Sequence, residues 1–114
     1  MKMDAKVMDV LTRVASGKWL GGESLAGLDF SGQNLQNAQL KGADMSRCNL
    51  QGADLRGANL YEADLRYANL NDADLTGAKL RRANLTGSTR LGCKIRKWAL
   101  KYAYIAGDTA YMDR

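Results

Sequence analysis

The chain has 114 residues, 46% of them hydrophobic and 25% charged, with a net charge of +5. This fits one ordinary globular unit and excludes a disordered chain. Histidine is absent, which removes the commonest general base, the commonest metal ligand, and both Ser-His and Cys-His nucleophile pairs. Proline is also absent and only two cysteines occur, Cys48 and Cys93; no rigid linker or disulfide framework is expected, and a reducing cytoplasm is. No apolar run approaches the ~18 residues of a membrane span, and no signal-peptide core opens the chain.

Residues 1–22 are expected to form an N-terminal cap. Within them, 4–16 has amphipathic helical spacing, with Val7, Val10, Leu11 and Val14 on one face and Gly17 as a stop. Residues 23–87 carry a period of five. Leucine or a substitute recurs at 25, 30, 35, 40, 45, 50, 55, 60, 65, 70, 75, 80 and 85, with Phe30 and Met45 as the exceptions. Two places earlier stands a small residue, from Ala38 and Ala43 through Cys48 to Ala83, and Asp or Asn usually lies between.

Period five fits neither regular element. In a helix it advances ~140° beyond a full turn, and in a flat strand an odd period alternates faces. Every leucine points inward only if the chain bends equally in each unit and winds a coil. Asp, Asn and Gly in every unit supply the bends. Coils ~4.8 Å apart then pair their backbones around a narrow apolar interior.

These units spell A(D/N)LxxA(D/N)Lxx, and the chain closely resembles the pentapeptide-repeat family over residues 23–87. The resemblance implies an all-β solenoid: a right-handed quadrilateral β-helix with four units per coil, in which residue n stacks on n+20. Thirteen units then make about three coils, with short helical caps at both ends. Glu23, Leu28 and Gln33 stand where alanine is expected. Leucine in a narrow coil overpacks it, so the first coil is expected to be distorted or to begin late.

Residues 88–114 are the expected C-terminal cap or dimerisation segment. Leu91, Ile95, Trp98, Tyr102 and Ile105 have helical spacing, with Gly107 as a C-cap. Alternation from Ile95 to Tyr104 also allows a strand, though the length favours a helix. The segment is basic and aromatic, and Lys94, Arg96, Lys97, Trp98, Lys101 and Tyr102 form one candidate interface. From Lys79 to Lys101 there are eight bases and no acid, a composition that suits an acidic partner or nucleic acid as well as a solvated cap. No zinc, helix-turn-helix or RNA-recognition signature accompanies it.

Stacking at n+20 maps the outward residues. Tyr61 falls over Arg81, Arg47 over Tyr67, and Glu62 over Arg82. Arg47, Tyr61, Arg66, Tyr67, Arg81 and Arg82 therefore form a candidate partner surface along one edge and its neighbouring faces. Tyr and Arg are enriched in interaction hot spots, and the same residues also serve as ladder pairs.

The expected function is a non-enzymatic protein-interaction scaffold or adaptor. Its partner is another protein or a second copy docked through the C-terminal segment, and no cofactor, metal or membrane is involved. The carboxylates repeat because the coil repeats, and Cys93 beside Lys94 and Arg90 is the one thiol with cause for a lowered pKa. One alternative is binding of nucleic acid or an acidic partner at the basic end. Another comes from the resemblance: some members are negative rods that mimic DNA and protect type II topoisomerases in bacteria. The repeat region here holds eight acids and seven bases, which weakens that field.

Overall fold

The computed structural model describes residues 3–106. It contains one long helix, α1 (Ala5–Ala15), a right-handed quadrilateral β-helix, and a four-residue helix, α2 (Lys97–Leu100), set into the last coil.

The coil follows from the five-residue unit. In each unit the leucine carbonyl accepts a hydrogen bond from the next small residue three places on, as in Ala38 N to Leu35 O at 3.1 Å. That closes a β-turn whose third residue is left-handed, for example Gly52 at φ 67°. The Asp or Asn before each leucine also has a defined task. Its Oδ1 accepts from the backbone N–H two residues on, at 3.0 Å for Ser46 on Asp44 and 3.1 Å for Gln51 on Asn49. A carboxylate and an amide oxygen serve equally in this Asx turn, so the repeat alternates freely between the two.

Each unit contributes a single parallel bridge to the unit twenty residues away. Thirteen bridges run from Trp19↔Gln39 to Asn84↔Tyr104 among the described residues. A pair of hydrogen bonds supports each rung from Ser24↔Asp44 onward, such as Leu25 N to Asp44 O at 2.8 Å and Asp44 N to Glu23 O at 2.9 Å. The interior is apolar. Every leucine-position side chain from Leu20 to Leu85 is 2% exposed or less, and no polar or charged residue is buried among the described residues.

The β-helix is longer than the period-five pattern indicates. Bridges spanning 19–104 make a little over four coils rather than three, or about 20 Å of stack at ~4.8 Å per coil. The first coil neither begins late nor loses register. Glu23, Leu28 and Gln33 are accommodated because no coil lies beneath them; their side chains meet α1 or the open end instead. Arg13 Nη1 pairs with Glu23 Oε1 at 2.9 Å, and Leu28 packs on the core from a half-buried position.

α1 closes that end as expected. Asp4 Oδ1 accepts from Lys6 N at 2.7 Å, and Gly17 at φ 69° stops the helix. Val7, Val10 and Val14 are buried against the first coil, and Lys6 Nζ donates to Ser24 O at 2.8 Å.

The C-terminal helix expected over 91–106 is confined to Lys97–Leu100. The rest continues the coil, with Lys94 bridged to Asp74 and Tyr104 to Asn84. The ladder edge left by residues 74–85 decides this, because continuing the coil pairs backbone groups that a free helix leaves open. Gly107, the expected C-cap, lies outside the described residues.

Candidate functional site

Four turn columns form the corners of the coil. Corner one stacks positions 41/42, 61/62, 81/82 and 101/102. Corner two stacks 46/47, 66/67 and 86/87. Corner three stacks 31/32, 51/52, 71/72 and 91/92, and corner four stacks 36/37, 56/57 and 76/77, beyond which α2 interrupts the coil. Between corners one and two the outward residues are Ser24, Asp44, Asp64, Asn84 and Tyr104, joined in sequence by bridges.

The candidate surface maps onto corners one and two. At corner two, the Arg47 guanidinium lies 4.8 Å from the Tyr67 ring centroid, as the twenty-residue stacking predicts. Above the ring stands Gly87, where a Cβ would overlap Tyr67; glycine makes room for the aromatic. Arg66 is committed elsewhere. Its Nε and Nη2 donate to Asp64 at 2.9 and 2.7 Å, a bidentate pair that holds the Asp64 carboxyl below its ordinary range. Arg56 and Asp54 repeat the arrangement at corner four, with Nη2 to Oδ2 at 2.7 Å.

Corner one differs from the expected ladder in two contacts. The cation over Tyr61 is Lys41, 5.2 Å from the ring centroid, whereas Arg81 lies 5.7 Å from the Tyr102 centroid. Glu62 and Arg82 make no ion pair among the described residues. Both are exposed, where water screening leaves little to hold such a pair.

A further feature of these corners lies in the backbone. Six non-glycine residues hold left-handed backbone: Asn37, Arg47, Glu62, Tyr67, Asp72 and Arg82, all at φ 59–61°. Asn and Asp tolerate that region, but Arg, Glu and Tyr do not favour it. The four intolerant residues all lie on corners one and two. Corners three and four place Gly, Asn or Asp at the same position wherever it is left-handed. The signal that could have found them is the loss of glycine from the second turn position in those units.

The candidate C-terminal interface is dispersed. Lys94 lies beyond corner three, Arg96 and Lys97 at the start of α2, and Lys101 and Tyr102 at corner one. The eight-base run therefore spreads over the last two coils rather than forming one patch. Trp98, Tyr102 and the adjoining Lys79 and Arg81 meet around a groove of about 400 Å³, with Lys101 against the Tyr102 ring. A second groove, of about 590 Å³, lies between α1 and the first coil and is lined by Leu11, Val14, Gln33 and Asn37 among others.

Cys93 does not have the lowered pKa that its basic neighbours suggest. Burial pushes its thiol up to about 11, outweighing the charge of Arg90. Cys48 is likewise raised to about 11 by burial, and its thiol donates to Leu25 O at 3.0 Å. No cluster of three or more Cys, Asp or Glu residues suited to a metal occurs among the described residues. No described helix is long and apolar enough to cross a membrane.

The sequence pattern of the pentapeptide repeats matches residues 24–60 and 58–89, more than half of the chain. The chain belongs to the pentapeptide-repeat family. A solved structure agrees with this membership. A pentapeptide-repeat protein from Nostoc PCC 7120 is 27% identical, with 90% of this chain and 95% of that one covered and a TM-score of 0.53. HetL, a pentapeptide-repeat protein from the same strain involved in heterocyst differentiation regulation, is 30% identical. The match covers 84% of this chain but 48% of HetL, with a TM-score of 0.48. A third pentapeptide-repeat protein, from the cyanobacterium Cyanothece 51142, is 28% identical, with 77% and 60% covered and a TM-score of 0.45. Among curated proteins no significant match was found. Among pentapeptide-repeat features, the left-handed Arg, Glu and Tyr of corners one and two distinguish one face of this chain from the other three.

Proposed function

We propose that this pentapeptide-repeat protein is a non-enzymatic scaffold of the cytoplasm that holds a protein partner against the face between corners one and two. The observation that carries the reading is the backbone of Arg47, Glu62, Tyr67 and Arg82. Left-handed φ costs a side-chain-bearing L-residue about 1–2 kcal/mol relative to glycine. Nearby units of the same coil avoid that cost with Gly27, Gly52 and Gly77. Strain kept where the fold does not require it is the mark of a surface retained for use.

The chemistry of the face suits recognition. Tyr67 and Tyr104 are 54% and 60% exposed, and Arg47 and Arg82 flank them without an ion pair among the described residues. Exposed Tyr and Arg on a rigid frame offer large contact area at low entropic cost. A second copy of the chain is one form such a partner takes.

Affinity capture from native lysate at moderate salt, after nuclease treatment, tests the reading. A stoichiometric protein should be retained by the wild-type chain and lost by the variant carrying Arg47→Gly, Glu62→Gly, Tyr67→Gly and Arg82→Gly, which keeps the coil. Equal retention by that variant would remove this face. Loss of all captured material on nuclease treatment would turn the assignment to nucleic acid.

A further inference from the structure

Outside that face, the last coil and the coil beneath it enclose the groove lined by Gly77, Ala78, Leu80 and Ala99, with Trp98, Tyr102, Lys79 and Arg81 around it. Ala78, Leu80 and Ala99 are buried and give it an apolar floor, while Trp98 remains 61% exposed above them. The surrounding charge is all positive. Lys79, Arg81 and the nearby Lys101 have no ion pair among the described residues, and no acid lines the groove. An apolar slot with unpaired cations at its rim is complementary to an apolar side chain flanked by carboxylates.

We infer that this groove binds a short acidic peptide segment. It seats one Phe, Trp or Leu side chain against Trp98 and places neighbouring Asp or Glu on Lys79 and Arg81. Single-stranded nucleic acid fits less well. Such binders combine a basic track with a series of open aromatic platforms. Here the Tyr102 ring already has Arg81 and Lys101 over it, each 5.7 Å from its centroid, which leaves Trp98 as the open platform. The outward column leading away from Lys79 is Asn59 and Gln39, so successive phosphates along that column would meet no further charge. The groove lies on the far side of corner one from the proposed scaffold face, and the inference goes beyond that reading.

The test uses the full chain and a displayed library of random dodecapeptides, depleted on the Trp98→Ala and Arg81→Glu proteins. Enriched peptides should carry an aromatic or leucine residue within three positions of Asp or Glu. Their synthetic forms should bind each variant at least ~10-fold more weakly than wild type, and Trp98→Phe should restore part of the loss. Both substituted side chains are exposed, so thermal melts should stay near wild type. Three outcomes overturn the inference: no enrichment that depends on Trp98 and Arg81, enriched peptides without acidic residues, or tighter binding of a twelve-nucleotide oligo(dT). The four-glycine variant leaves the groove intact, so peptide binding by that protein separates failure of the groove from failure of the scaffold face.

Discussion

Arg47 and Tyr67 sit one coil apart in the same column, 4.8 Å from guanidinium to ring centroid, and both hold φ 60°. Their contact offsets part of the backbone cost that each incurs. Glu62 and Arg82 incur the same cost at corner one with no such contact between them. Arg82→Gly and Glu62→Gly should therefore each stabilise the fold by about 1 kcal/mol. Tyr67→Gly also removes a cation–π contact of about 0.5–1 kcal/mol, so its gain should be close to zero. Chemical denaturation of the three single variants checks the order. Destabilisation by Arg82→Gly would show that its side chain makes a contact that outweighs the strain.

The interior tolerates far less. Met45, Leu65 and Leu85 stack in one inward column, each with 0% exposure. Leu65→Ala should cost about 3 kcal/mol, because a central coil with neighbours on both sides collapses poorly around a cavity. Leu65→Lys places an unpaired charge in that column and should abolish folding. Circular dichroism reports both; a wild-type melt for Leu65→Lys would contradict the stacked interior.

α1 is predicted to act as a stopper as well as a stabiliser. Val10 is 1% exposed against the first coil. Val10→Asp should undock the helix and uncover an apolar cross-section with unpaired backbone edges, the arrangement that invites end-to-end association. Sedimentation velocity should then show concentration-dependent oligomers larger than any formed by the wild-type chain. A monomer with an unchanged melt would mean that the first coil needs no cover.

The fold was legible because an inward leucine or methionine and a small residue recur in every unit from Ala38 to Leu85, with Asp or Asn between them except at Gln39 and Lys79, leaving one geometry that buries every leucine. Where the pattern lapses, local spacing misleads. Leu91, Ile95 and Trp98 share a helical spacing, yet Ile95 also stands two units of five after Leu85, and the open ladder above coil three claims this stretch as far as Lys94. The site was legible only in its columns. Twenty-residue stacking places Arg47 under Tyr67, but it does not show that Arg66 is held by Asp64, nor that Arg81 turns to Tyr102. Those choices depend on side-chain rotamers at exposed corners, which no periodicity encodes. Left-handed φ at Glu62 and Arg82 follows from turn position and was readable once the turn itself was known.

Acid should loosen this coil through its own turn-forming carboxylates. Side-chain hydrogen bonds from Arg56 and Arg66 hold Asp54 and Asp64 below their ordinary values, and hydroxyl hydrogen bonds from Ser31 and Thr76 do the same for Asp29 and Asp74. Each of these groups binds a proton less readily folded than unfolded. The stability they contribute is therefore fully present above the unfolded value of ~3.9 and is lost as pH falls through the lower folded values. The melting temperature should be flat from pH 8 to about 5 and decline below ~4. Combined Asp54→Asn and Asp64→Asn keeps the Asx turns, because an amide oxygen still accepts from the backbone, but removes two of the titrating groups. That variant should lose part of the acid decline while melting a little lower at neutral pH, where its two bidentate ion pairs are gone. An acid limb identical to wild type would show that these pairs do not couple folding to pH.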